Sequence, residues 1–188
     1  MKAHEKDDAT VSEHYLTMKE LQAGLDEIRR APKDHGLLRL IVRRPQVKAR
    51  EVLQVGELDL VHGLVGDSWS TRQGGGHPEK QLNVMNARAI ALVARSTDRW
   101  ALAGDQLFID LDVSVDNLPP GTRVGVGSAV IEVTEPPHTG CGKFEARFGI
   151  DAVNFVNSPE GKQLRLRGLN AKVVQPGVIR VGDIARKL

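Results

Sequence analysis

Short β-branched runs, each closed by glycine or proline, are the feature of this chain that most restricts its fold. Leu38-Arg39-Leu40-Ile41-Val42-Arg43 and Val52-Leu53-Gln54-Val55 lie between Gly36, Pro45, Gly56 and Gly63, a pattern of strands rather than helices. Ile109 to Val115 alternates strictly, with Ile109, Leu111, Val113 and Val115 on one side and Asp110, Asp112 and Ser114 on the other. It predicts a strand with one packed and one wet face. Val124, Val126, Val130, Ile131 and Val133 mark further strands between Gly121 and the Pro136-Pro137 pair. Gln81 to Met85 reads as another, with Asn86 as the N-cap of a short helix from Ala87 to Arg95. Phe144 to Val156 has room for one or two helical turns, and Gln175-Pro176-Gly177-Val178 suits a type II turn closing a terminal hairpin. The count, roughly seven or eight short strands, predicts a mainly β, closed or nearly closed barrel with a few short helices.

The first 35 residues differ. Leu16, Leu21, Leu25 and Ile28 recur at helical spacing, Thr10 and Glu13 stand at capping-box spacing, and Pro32 is the stop. They predict an N-terminal amphipathic helix from Thr10 to Ala31, an extension over residues 1–35 placed before a domain over 36–188. A total of 188 residues fits one such domain. With 40% hydrophobic and 27% charged residues the chain is too apolar for disorder and too interrupted by charge for a membrane span. A net charge of +2 favours neither nucleic acid nor an anionic membrane as partner. The polar start, Met1-Lys2-Ala3-His4-Glu5-Lys6, has no apolar targeting core, and the expected compartment is the cytoplasm.

The lone cysteine, Cys141, excludes an intramolecular disulfide and leaves one thiol to explain. It sits in Pro136-Pro137-His138-Thr139-Gly140-Cys141-Gly142-Lys143, where prolines stiffen the approach and flanking glycines leave the sulfur uncrowded. His138, Lys143 and Arg147 are the nearby cations expected to favour thiolate, the form that acts as nucleophile and soft-metal ligand. The competing reading is a buried cysteine acting as a small hydrophobe.

Other features carry less chemistry. Arg72-Gln73-Gly74-Gly75-Gly76-His77 offers backbone amides and a guanidinium to an anion, yet has no phosphate-loop lysine with a following Ser or Thr. Arg165 and Arg167 fall on one side of an extended segment, and Arg39, Arg43, Arg44, Lys48 and Arg50 read as an exposed strand-loop face. The Asp110-x-Asp112-x-Ser114-x-Asp116 series lacks the glycine and glutamate of a calcium loop, and His138-x-x-Cys141 lacks a second ligand pair for zinc.

Taken as an ordered series, several of these pieces resemble the MOSC domain, named for the C-terminal part of molybdenum cofactor sulfurase. The series is Gly63-Leu64-Val65-Gly66-Asp67, Gly104-Asp105-Gln106-Leu107-Phe108-Ile109-Asp110, Asn117-Leu118-Pro119-Pro120-Gly121-Thr122 and Val126-Gly127-Ser128-Ala129-Val130-Ile131. It continues through Thr139-Gly140-Cys141, Lys143-Phe144, Arg147-Phe148-Gly149, Arg167-Gly168 and Gly177-Val178-Ile179-Arg180-Val181-Gly182-Asp183. The resemblance implies a MOSC-type β-barrel and a role in molybdenum cofactor (molybdopterin) or sulfur chemistry. It makes Cys141 the catalytic thiol and molybdenum ligand, and implies that Arg72, Gly75, His138, Lys143, Arg147 and Arg167 help to bind the cofactor. The glycine loop, the cysteine loop and the Arg167-Gly168 segment are then expected to meet at one end of the barrel. This chain has Ser68-Trp69 after Gly66-Asp67, where many relatives have a basic residue and histidine.

Three functions compete at this point. The first is molybdenum-dependent redox chemistry on N-oxygenated small molecules, or cofactor handling. The second is a metal-free persulfide carrier. The third is a small-ligand module with a structural thiol. No pyridoxal-phosphate desulfurase domain accompanies the cysteine, so the first two need a reductase or a cysteine desulfurase partner.

Overall fold

The computed structural model describes residues 15–71 and 76–188. Two short helices, α1 (Met18–Ala23) and α2 (Leu25–Arg29), come first. Thr17 and Glu20 cap α1 reciprocally, and Gly24 divides it from α2. A side chain at Gly24 would meet Leu92 at 2.6 Å, so the break lets the chain pass close to a neighbouring helix. The expected single helix is therefore two, capped seven residues later than predicted; the Thr10–Glu13 pair lies outside the described residues.

The strands follow as β1 (His35–Arg43), β2 (Glu51–Leu53), β3 (Val55–Asp59), β4 (Gly63–Leu64), β5 (Leu82–Asn86) and β6 (Leu107–Ile109). After them come β7 (Arg123–Val126), β8 (Ala129–Pro137), β9 (Leu169–Gln175), β10 (Gly177–Arg180) and β11 (Ile184–Lys187). Seven of them, β11-β7-β8-β9-β5-β6-β1, hydrogen-bond in that order, and β1 pairs back onto β11. The sheet is thus a closed barrel, which among the described residues leaves no free edge except where β2 extends it. β1 closes the ring by pairing through His35–Leu37 with β11 and through Leu38–Ile41 with β6, with a register shift between Leu38 and Leu40. β5 and β6 run parallel. Between them lie α3 (Ala87–Ala94) and a 3-10 helix, Thr97–Ala103, the crossover that a parallel pair needs. The small sheet β10-β3-β4 stands beside the barrel.

Both faces of the central strands are buried. Leu38, Ile41, Val84, Leu107 and Ile109 fill the barrel interior. Val42, Met85 and Phe108 point outward into a second core with Ile90, Trp100 and the aromatic rings of the later helices. Those helices are α4 (Gly142–Phe148), α5 (Ile150–Asn157) and α6 (Pro159–Gln163), so Phe144 to Val156 is more helical than the sequence suggested. Each fully buried Leu, Ile or Phe side chain contributes about 1.5–3 kcal/mol, which makes this double layer the main source of stability. Among the described residues no helix is long and apolar enough to cross a membrane.

Two expectations are corrected. The alternation of Ile109 to Val115 marks burial rather than pairing, because the ladder ends at Ile109. Leu111 and Val113 still face the core, while Asp112 Oδ1 accepts from the Ser114 amide and turns the chain away from the sheet. The Pro176-Gly177 step is not a type II turn, since Gly177 does not take the positive φ that turn requires. It passes the chain from the barrel to the small sheet, where β10 pairs with β3. A side chain at Gly177 would meet the Ser128 backbone at 2.6 Å, so close approach is what demands glycine there.

The N-cap expectation holds. Asn86 Oδ1 accepts from the Arg88 and Ala89 amides at 2.8 and 3.0 Å, and its Nδ2 donates to the buried Leu111 carbonyl at 2.7 Å. Asn86→Ala removes the cap and strands that carbonyl, and an expected loss of about 2 kcal/mol should appear in urea unfolding with an unchanged m-value.

Candidate functional site

β8 ends in the two prolines, and the chain turns through His138 and Gly140 to reach Cys141, the N-cap residue of α4. The turn is clamped from α5. Asn157 Oδ1 accepts from the Gly140 amide at 2.9 Å, and Asn157 Nδ2 donates to the Gly140 carbonyl at 3.0 Å. The two glycines beside the cysteine do different things. A Cβ on Gly140 would strike Val156 at 2.9 Å, whereas one on Gly142 would meet nothing within 4 Å among the described residues. Cys141 is exposed, so the buried-hydrophobe reading does not apply. Partial burial pushes the thiol up, but the amides of Phe144 and Lys143 and the charges of Arg167 and Lys143 outweigh it and bring it below its ordinary value. Thiolate is thereby favoured relative to an ordinary cysteine.

Arg167 reaches the site from the turn after α6. That turn is not the extended segment that the sequence suggested. Arg165 adopts a left-handed conformation, φ 48°, and donates to the Leu118 carbonyl, so the two arginines point to different places. Arg167 lies over the Phe144 ring at 4.9 Å and donates to Asp105 Oδ2 at 2.6 Å and to the Ala103 carbonyl at 3.0 Å. Asp105 is completely buried, and its other oxygen stands 3.4 Å from His138 Nδ1. Asp105 Oδ1, His138 Nδ1 and Arg167 Nε are buried with no hydrogen-bond partner among the described residues. Burial, helped by the charges of Arg167, Arg44 and Lys80 and opposed by Asp105, pushes His138 down to about 4. It is therefore neutral at pH 7 and adds no charge to the thiol.

That shift has a measurable consequence. The unfolded chain takes up the imidazole proton near 6.5, while the folded one refuses it until about 4. Stability is whole above pH 6.5 and falls as the pH drops through that window, by about 3 kcal/mol for the full shift. Urea unfolding between pH 7 and pH 4 should show this slope in the wild type and a flatter one in His138→Gln; equal slopes would count against a buried neutral imidazole.

A second buried pair was missed from sequence. Arg44 donates through Nε and Nη2 to the two oxygens of Asp67, each at 2.9 Å, and through Nη1 to the Gly104 carbonyl at 2.7 Å. Asp67 also accepts from the amides of Arg44 and Trp69. The supposed exposed cationic face is thus divided: Arg39 and Lys48 are exposed, Arg43 pairs with Glu51, and Arg44 is buried. The available signal was strand phase, because Arg44 lies two residues after the buried Val42.

Of the expected site residues, Lys143 is exposed beside Cys141, and Arg147 occupies the last turn of α4 with Nη1 donating to the Leu102 carbonyl at 2.6 Å. His138 and Arg167 come together through Asp105. Arg72 and Gly75 lie outside the described residues. Among the described residues no three His, Cys, Asp or Glu side chains form a metal cluster. A cleft of about 250 Å³ lies elsewhere, lined by Arg29, Lys33, Asn86, Asp112, Asp116 and Asn117, none of them an expected site residue.

This geometry can be set beside known proteins. The chain resembles the solved structures of YiiM from Escherichia coli (18% identity, TM-score 0.54, 81% of this chain and 69% of that one) and YuaD from Bacillus subtilis (14%, 0.57, 80% and 94%). YiiM from Geobacillus stearothermophilus is similar at 15% identity and a TM-score of 0.55, covering 82% of this chain and 75% of that one. These likenesses concern the fold. No curated protein sequence matches the chain. The sequence profile of the MOSC domain matches residues 71–186, well over half of the chain and including Cys141, Asp105 and Arg167. With the closed barrel and the loop that carries its one thiol both in place, the chain belongs to the MOSC domain family.

Proposed function

We propose that this protein binds a molybdenum–pterin cofactor through Cys141 and takes part in redox chemistry on N-oxygenated small molecules or in handling of that cofactor. The observation that carries the reading is an exposed thiol, open on the Gly142 side and biased toward thiolate by Arg167 and Lys143. A soft anionic sulfur suits molybdenum, and the residues present fit the group. When bound, the cofactor supplies two-electron chemistry at its metal.

The protein's own contribution is positional. Asn157 fixes the backbone of the cysteine loop. Arg167, held by Asp105, places a permanent positive charge near the sulfur. Neutral His138 adds no charge beside the thiol, and Lys143 adds an exposed cation at the mouth. The Arg72–Gly75 loop remains part of the proposal as a source of amides and a guanidinium for cofactor oxygens. Electrons come from a separate reductase.

The test is the molybdenum and pterin content of protein made in a host that synthesises the cofactor. Stoichiometric metal in the wild type and none in Cys141→Ser supports the proposal, and a metal-free wild type refutes it. The exposure of the sulfur also suits a persulfide carrier served by a cysteine desulfurase, for which the sign is cyanide-labile sulfur without metal.

A further inference from the structure

The end of the 3-10 helix Thr97–Ala103 is met by four arginines in succession. The carbonyls of Ala101, Leu102, Ala103 and Gly104 accept from Arg50 Nε, Arg147 Nη1, Arg167 Nη2 and Arg44 Nη1 at 3.2, 2.6, 3.0 and 2.7 Å. Two of the four carry buried carboxylates, Arg167 with Asp105 and Arg44 with Asp67. Arg50 and Arg147 have none within ion-pair distance among the described residues.

These two half-buried side chains arrive from different directions, Arg50 from just before β2 and Arg147 from the end of α4, and converge over Gly104. A Cβ built on Gly104 would lie 3.6 Å from Arg50 Nη2 and 3.8 Å from Arg147 Nη1, with no other atom of the described residues beyond its chain neighbours within 4 Å. The two nitrogens therefore border one open space, and the oxygens of a single tetrahedral oxyanion can reach both. Arg50 Nη1 is used by the Ala49 carbonyl, while its Nη2 makes no hydrogen bond among the described residues.

Helix capping alone does not account for the arrangement. A helix C-terminus carries about half a negative charge, so with two carboxylates it offsets about 2.5 of the four positive charges. About 1.5 remain. Burial lowers Arg50, with the charges of Arg147 and Arg44 adding to the shift and Asp67 opposing it. A phosphate monoester carries about −1.5 to −2 near neutral pH, which matches the surplus, whereas a carboxylate leaves part of it unopposed.

We propose that Arg50 and Arg147, over Gly104, bind the phosphate monoester of the ligand whose other end reaches Cys141. Arg147 lies six residues after Cys141 along α4, so the backbones of the two residues are separated by about 9 Å of helix rise. The link to Cys141 rests on the function proposed above; the anion site itself does not.

The test uses the full chain from a host unable to make the cofactor, titrated with inorganic phosphate at constant ionic strength. A saturable Tm rise of about 5 °C is expected at a hundredfold excess over Kd, with no response to chloride. Arg50→Gln keeps a donor for the Ala101 carbonyl but removes the charge, and should weaken phosphate binding at least tenfold. Arg39→Met, which removes an exposed cation elsewhere, should leave it unchanged. If Arg50→Gln does not fold, Arg147→Gln is read in the same way. No saturable response, an equal response to chloride, or full retention in the glutamine variant overturns the proposal. In cofactor-loaded protein, loss of the phosphate response identifies the cofactor as the source of the monoester, and retention identifies a phosphorylated substrate. Absence of molybdenum with the phosphate response intact removes the cofactor reading and leaves the anion site standing.

Discussion

Asp67→Ala lowers the stability of this protein by about 3–5 kcal/mol, the range for deleting one partner of a buried ion pair. The reason lies in what remains. Arg44 loses both charge-assisted hydrogen bonds to the carboxylate, and its guanidinium stays in a site that solvent scarcely reaches. The amides of Arg44 and Trp69 lose their acceptor as well. At about 2–4 °C per kcal/mol for a chain of this size, Tm falls by about 6–20 °C in a thermal melt. The surface pair Arg123–Glu132 serves as the internal control, because Arg123→Ala should cost about 1 kcal/mol or less. The double variant Arg44→Met/Asp67→Leu should recover part of the loss, since an apolar pair leaves no buried charge. A loss below 1 kcal/mol for Asp67→Ala would show that water reaches the pair. The effect extends to the candidate site, because Arg44 also holds the Gly104 carbonyl beside Asp105.

Which parts of the molecule were legible in the sequence follows from the range of the interactions involved. Asn86 and α3 were readable because a cap and the helix it starts are neighbours in the chain. The barrel was readable as a class, since many short β-branched runs have few other ways to remove their edges. Pairing was not. In Ile109–Val115 the alternation correctly identified the buried side chains, yet alternation reports which way a residue faces and not whether a neighbouring strand stands beside it. The Pro176-Gly177 step shows the same limit, because its glycine answers to Ser128, a contact that no local turn rule contains.

The candidate site divides in the same way. Cys141 was legible from its two flanking glycines and from the family resemblance. The ion pairs around it were hidden by distance: Arg44–Asp67 spans 23 positions and Arg167–Asp105 spans 62. Arg165 and Arg167 look equivalent in sequence, but the left-handed backbone at Arg165 sends one to the Leu118 carbonyl and the other to Asp105. Arg50, the residue most easily taken for surface, becomes distinctive only once Arg147 is brought opposite it over Gly104.

Cys141→Ser should separate function from stability more completely than any other single change. Cys141 is exposed and its side chain makes no cap hydrogen bond to α4, so replacing the sulfur costs little packing and stability should move by no more than about 0.5 kcal/mol. Serine is moreover a preferred N-cap, and any small change should favour the variant. Chemistry responds in the opposite sense. Alkylation by a small electrophile is abolished outright, and so, on the proposed function, is cofactor retention. In the wild type the pH midpoint of alkylation should fall below the ordinary thiol value of 9.0, because the helix-start amides and the Arg167 and Lys143 charges outweigh partial burial. Lys143→Ala removes one of those charges from an exposed position and should move the midpoint upward with folding unaffected. A midpoint at or above 9.0 would mean that desolvation wins. A stability loss of several kcal/mol in Cys141→Ser would return the thiol to a structural role, and with it the third of the competing functions, a small-ligand module.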